Sequence, residues 1–163
     1  MSLREIHPLK KKLEFRSKKD IVSDMLVALD TDVIVAALRS PSGASRQVLK
    51  LLRARRIRAV ATVNMLIEYE SVLTRPEQRI ATGLTVVEVG QFLDGLAALV
   101  LPVQPHFLWR PQLRDPDDEM VLEAAVNGGA DAIVTFNRVD FLPAASRFGI
   151  DVVPPGSVLS KQL

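Results

Sequence analysis

Five consecutive apolar residues, Met25–Leu29, end abruptly at Asp30. A run this short and this continuous offers no polar face to water, which suits a strand covered on both sides. Strands of that kind belong to parallel sheets, whose crossover helices cover both faces. The residues after Asp30 have the matching form. Val33–Leu38 predicts a short buried helix, closed by the break Arg39-Ser40-Pro41-Ser42-Gly43. Ala44–Arg56 predicts an amphipathic helix, with Val48, Leu51 and Leu52 on one face and Arg46, Lys50 and Arg53 on another. Ile57–Ala61 reads as a second strand, and Met65–Leu73 as a helix with Thr62 or Asn64 as N-cap, ended by Arg75-Pro76. Thr85 and Glu88 have the spacing of a capping box and open a helix to Leu99. A third strand is expected at Leu99–Val103, then an irregular proline-rich stretch to Leu113. Asp115-Pro116-Asp117-Asp118 starts the next helix, which Gly128-Gly129 stops. Ala132–Thr135 and Ile150–Val153 read as the last strands, with the TFNRVDF stretch between them as a loop and Pro154-Pro155 as the end. The whole is one α/β domain with a mostly parallel sheet.

Composition narrows the chemistry. Of 163 residues, 48% are hydrophobic and 25% charged, so the chain can build a core and global disorder is excluded. There is no cysteine, which removes disulfides, thiolate catalysis and thiolate-bound metals. His7 and His106 are the only histidines, too few for a multi-histidine metal site. The net charge is +2, but its distribution is uneven. Residues 1–24 hold seven Lys/Arg against four acids, a charge of +3, and the remaining chain carries −1. Residues 1–24 therefore read as a basic, flexible N-terminal extension with no apolar core of signal-peptide length, and the domain as residues 25–160. No apolar run reaches the roughly 20 residues that span a membrane, so a cytoplasmic protein without a membrane partner is expected.

In open α/β sheets, ligands bind beyond the carboxyl ends of the strands. Asp30 ends the first strand, Asp140 comes after Ala132–Thr135, Asp118 lies in the first turn of the helix before that strand, and Glu68 lies in the helix after the second strand. Each has a plainer meaning taken singly. Asp30 would be a strand-end turn residue, Asp115, Asp117 and Asp118 helix-capping acids, Glu68 a solvated helix residue and Asp140 a loop acid. Periodicity does not bring them together. If they converge, the cluster needs protons or a cation to compensate it, and hard oxygen ligands point to Mg²⁺ or Mn²⁺.

Four blocks, taken in order, resemble the PIN domain, a nuclease fold found in the toxins of toxin–antitoxin pairs. They are LVALDTDVIVAAL (Leu26–Leu38), NMLIEYESVL (Asn64–Leu73), RDPDDEMVLEAAVNGGADAIVTFNRVDF (Arg114–Phe141) and IDVVPPGSVL (Ile150–Leu159). The third is the most specific. The resemblance implies a three-layer α/β/α sandwich and metal-dependent hydrolysis of RNA. It implies Asp30, Asp118, Asp140 and Glu68 as the acids that hold Mg²⁺ or Mn²⁺, with Thr135, Asn137 and Asp115 supporting them. One position departs from the family pattern: many relatives have Asn two residues after the first acid, where this chain has Asp32. Asn anchors a loop through a donor and an acceptor, and an ionised Asp only accepts; Asp32 is expected to support the site either by that anchoring or by adding charge near the metal. The resemblance further implies a homodimer and an antitoxin partner that blocks the site. Arg46, Lys50, Arg53 and, in the motif loop, Arg138 are the candidate contacts to RNA or antitoxin, while Trp109 reads as a loop anchor or dimer contact. Two alternatives stand beside the toxin: an RNA-processing or decay nuclease without an antitoxin, and a non-catalytic PIN-like binding module. A response-regulator-like domain is disfavoured, because no lysine lies between Ala132 and Leu159.

Overall fold

The computed structural model describes residues 25–106 and 110–162. The basic extension (residues 1–24) and Trp109 lie outside the described residues. The elements run β1 (Leu26–Leu29), α1 (Thr31–Arg39), α2 (Ala44–Arg53), β2 (Arg58–Ala61), α3 (Val63–Leu73), α4 (Pro76–Thr82), α5 (Val86–Leu99), β3 (Leu101–Pro102), α6 (Pro116–Gly128), β4 (Ala132–Val134), α7 (Arg138–Arg147), β5 (Asp151–Val153) and α8 (Pro155–Ser160).

The expected caps form. Thr62 Oγ1 accepts from the Met65 N–H, and Thr85 and Glu88 close a reciprocal capping box. Asp115 Oδ1 accepts from the Asp117 N–H, with Pro116 opening α6 behind it. Gly129 ends that helix with φ 65°, a left-handed backbone that glycine adopts without penalty. Gly128, one residue earlier, lets α6 approach β2 closely: a Cβ there would stand 2.8 Å from Val60 Cγ1.

Several boundaries differ from those expected. Helix α2 stops at Arg53, and Arg55 takes a left-handed backbone (φ 56°) that turns the chain into β2. The prolines expected to end elements also open helices. Pro76 and Pro155 sit at the start of α4 and α8, where the missing N–H costs nothing. Helix α7, which contains Pro143, replaces the loop expected between the last two strands. Strand β3 has only two residues, because Leu99 still belongs to α5.

All strand pairs are parallel, in the order β3-β2-β1-β4-β5. Val27 pairs with Ala59 on one side and Ala132 on the other, and Val27, Ala28 and Leu29 are as buried as the unbroken apolar run required, with Leu26 half-buried. Helix α6 packs against β1, β2 and β4, α7 covers β5, and α1 packs on α2, α3 and α4. The result is a three-layer α/β/α sandwich whose core includes Ile34, Ile57, Met65, Tyr69, Ile133 and Phe141, all fully buried. No single helix among the described residues is long and apolar enough to cross a membrane.

The strand order locates the site. From β1 the chain winds outward through β2 and β3, then crosses back to β4 and β5. The direction therefore reverses between β1 and β4, and at such a point the loops beyond the two strands diverge and leave a crevice. Asp30 and Thr135 stand at those two strand ends, and the Asp30 N–H donates to the Val134 carbonyl (3.0 Å).

Candidate active site at the β1–β4 switch point

Asp30 is almost wholly buried, at 6% exposure. It N-caps α1, with Oδ1 accepting from the Thr31 N–H (2.8 Å) and Oδ2 from the Thr135 hydroxyl (2.7 Å). Thr135 Oγ1 in turn accepts from the Asn137 N–H (2.9 Å). The Thr135 hydroxyl has one proton to give, and Asp30 is its nearer acceptor; Asp32 Oδ2 lies at 3.4 Å. Two segments 105 residues apart are thus joined through one buried hydroxyl.

Asp32 does the loop anchoring that an Asn would do there, using acceptor capacity alone. Its Oδ2 takes the Phe136 N–H at 3.1 Å, and its Oδ1 is buried without a hydrogen-bond partner. Asp118, half-buried in the first turn of α6, likewise keeps a buried Oδ2 with no partner. Asp140 stands in the first turn of α7 rather than in a loop, and its Oδ2 accepts from Asn137 Nδ2 (2.6 Å).

These acids feel one another. Burial, the Asp32 charge and, more weakly, Asp118 push the Asp30 carboxyl up to about 7 from 3.8, against the opposing hydrogen bonds from Thr135 and Thr31. Burial raises Asp32 as well. Burial again, with the charges of Asp115, Asp140, Asp32 and Asp117, pushes Asp118 up to about 6. Asp30, Asp32, Asp118 and Asp140 therefore share one electrostatic environment. Glu68 is raised by partial burial and by Asp117 and Asp115, with Arg75 opposing, so it senses the start of α6 from its place on α3. Among the described residues, no three acidic or histidine side chains stand close enough together to form a ready-made cation site.

Other acids of α6 do structural work. Glu119 is buried and its Oε1 accepts the Gln112 and Leu113 N–H groups (2.5 and 2.8 Å). Glu123 forms a two-point ion pair with Arg110, from Nε to Oε1 (2.5 Å) and from Nη2 to Oε2 (3.0 Å). Helical period separates them from Asp118, but nothing local distinguishes an acid that caps a loop from one that faces a crevice.

A family model described as the PIN domain matches residues 26–139. The chain belongs to the PIN domain family. PIN domains are generally nucleases, usually metal-dependent, and the parallel sandwich found here agrees with that fold. The match takes in Asp30, Glu68, Asp118, Thr135 and Asn137 and ends one residue before Asp140. No curated protein matches the chain.

The basic residues singled out on α2 do not stand at this PIN domain's acids. Arg46, Lys50 and Arg53 line a separate groove of about 550 Å³ between α2 and α5, with Leu38, Phe92 and Leu96 among its apolar walls and none of the acids. Arg46 Nε is bonded to the Ala37 carbonyl (2.6 Å), and Arg138 Nε to the Val152 carbonyl (3.1 Å). Two contributors have no counterpart among the residues singled out by sequence. Tyr69, fully buried, donates its hydroxyl to the Leu29 carbonyl and so ties α3 to the end of β1. Its signal is faint: it is the only tyrosine of the chain, next to Glu68. Phe136 is 56% exposed beside the acids, and its signal is an aromatic between two polar site residues in TFN.

Proposed function

We propose that this chain is a divalent-metal-dependent endoribonuclease and the toxin of a toxin–antitoxin pair, acting in the cytoplasm. The observation that carries the reading is the meeting of buried Asp30 with half-buried Asp32 and Asp118 at the β1–β4 switch point, with Asp32 Oδ1 and Asp118 Oδ2 left without hydrogen-bond partners. The chemistry of the donors suits a hard cation, although the side chains would have to draw together around it. They are carboxylate oxygens without exception, and the raised proton affinities of Asp30 and Asp118 mark negative charge that lacks a counter-charge.

In this reading Asp30, Asp118 and Asp140 would hold Mg²⁺ or Mn²⁺, with Glu68 as a further ligand. Such an ion, when bound, supplies an activated water and charge stabilisation at the phosphorus. The chain's own groups orient the ligands. Thr135 holds the Asp30 carboxylate in one rotamer, and Asn137 does the same for Asp140. Asp115 caps α6 and, through the helix it begins, sets the position of Asp118. Asp32 pins the Phe136 backbone and adds charge to the cluster. No histidine is needed.

The antitoxin part rests on the α2–α5 groove. Its apolar walls and the cations Arg46, Lys50 and Arg53 suit a short acidic segment with apolar anchors. A homodimer would cover apolar side chains that α3 exposes, Val63 and Ile67.

Purified protein incubated with a mixed RNA pool and Mn²⁺ or Mg²⁺ should cut it, and Asp118→Asn prepared identically should not. Equal cutting by both would defeat the assignment. Absence of cutting together with absence of Mn²⁺ binding would favour a non-catalytic module.

A further inference from the structure

Beside the acids lies a second cavity, of about 580 Å³, whose walls include Asp32, Val35, Arg39, Val72, Gln78 and Phe136. Asp32 and Phe136 connect it to the carboxylate cluster: the Asp32 Oδ2 that holds the Phe136 N–H is part of that cluster. The volume suits a small planar group with its substituent. Three features of its wall need explanation. The Phe136 ring is more than half exposed although its backbone is pinned. Gln78 buries its Oε1 without any hydrogen-bond partner, an arrangement that costs free energy unless something else supplies a donor. Arg39, in the last turn of α1, is exposed and makes no ion pair among the described residues. An aromatic face, an unfilled acceptor and an uncommitted cation around one cavity are the complement of an unstacked nucleotide, which presents a π-face, an N–H edge and a phosphate.

We propose that this cavity seats one unpaired base of the RNA strand next to the bond that is cut. Phe136 stacks on the base, the Gln78 side-chain amide turns its now buried Oε1 into the cavity to accept from the base edge, and Arg39 contacts a neighbouring phosphate. The cavity is then where this enzyme reads sequence, while the carboxylates cut. The inference rests on the ribonuclease reading for its ligand, and its test separates the two.

The first arm measures binding without catalysis, by fluorescence anisotropy of a labelled single-stranded RNA 12-mer of mixed sequence in EDTA. Phe136→Ala and Phe136→Leu should weaken binding roughly 5- to 100-fold, and Phe136→Trp should retain it. Because the ring is exposed, these variants keep the fold. Arg39→Gln should reduce the slope of log affinity against log salt by about 0.7. The second arm sequences the ends of products from a mixed RNA pool. The parent should show a base preference next to the cut, and Gln78→Met, of similar size without the acceptor, should flatten it. Unchanged affinity in both Phe136→Ala and Phe136→Leu, or no RNA binding by the parent, overturns the cavity. No base preference in the parent, or one that survives Gln78→Met, overturns the reading of the base edge. RNA binding that depends on Phe136 in a parent that cuts nothing overturns the ribonuclease reading and leaves the cavity standing.

Discussion

Replacing Asp30 by Asn should make the metal-free protein more stable at alkaline pH, although Asp30 is the most deeply buried acid of the site. Asn fits the same space. Its oxygen can keep the Thr31 N–H, and its nitrogen can donate to Thr135 Oγ1, whose proton then turns toward Asp32. The substitution removes the burial of charge. The folded chain holds the Asp30 proton up to about pH 7, whereas an ordinary carboxyl releases it near 3.8. Stability from that proton is therefore full below pH 3.8 and is lost as pH rises through 7. The difference amounts to about 4 kcal/mol between pH 3 and pH 8, and roughly two-thirds of the loss falls above pH 5. Urea denaturation in EDTA at intervals from pH 5 to 8 measures it. Asp30→Asn should equal or exceed the parent throughout, lead it by at least about 2 kcal/mol at pH 8, and lose less stability with rising pH. Added Mn²⁺ should reverse the order, because an ion that binds only the folded state raises stability by mass action and the variant has lost a ligand. Parallel stability curves in EDTA, or an Asp30→Asn protein less stable than the parent at pH 8, would refute the claim that this carboxylate is held at a cost for an ion to repay.

The remaining expectations concern the supports of the site. Thr135→Val keeps the shape but strands Asp30 Oδ2 and the Asn137 N–H, and should cost about 1–3 kcal/mol by urea titration. Its RNA cleavage should fall with it. Gly128→Ala would drive a methyl against the buried Val60 and half-buried Val103 side chains, and should lower stability by about 1–3 kcal/mol in the same assay. Glu119→Ala frees the Gln112 and Leu113 N–H groups and should destabilise by about 1–3 kcal/mol, yet calorimetric Mn²⁺ titration should find affinity near the parent's. Asp118→Asn should show the opposite pattern, with Mn²⁺ affinity lost and the fold intact.

Much of the fold is legible in the sequence because its signals are local. The run Met25–Leu29, the Thr85/Glu88 capping box and the Asp115-Pro116 start each act over a few residues, and each forms its element. Local reading fails where one residue serves two local purposes. Proline both ends helices and begins them, and α4 and α8 are hidden behind prolines that read equally well as terminators. Helix α7 is hidden by Pro143, so Asp140 reads as a loop acid although it stands in a helical turn. The basic residues of α2 are legible as a face, but periodicity cannot tell that the face lines a groove without acids.

The site divides in the same way. Asp30 and Asp118 are recognisable from the sequence as candidates, since strand ends and helix starts are local positions and the family pattern marks them. That Asp30 meets Thr135, that Asp32 holds Phe136, and that Asp118 feels both Asp140 and Asp32 depends on β4 returning beside β1 after an excursion of about a hundred residues. Residue periodicity carries no record of that pairing, because strand order is chosen by the packing of the whole sheet. The raised carboxyls, the two orphaned oxygens and the cavity under Phe136 come from burial, and burial exists only once the layers have closed.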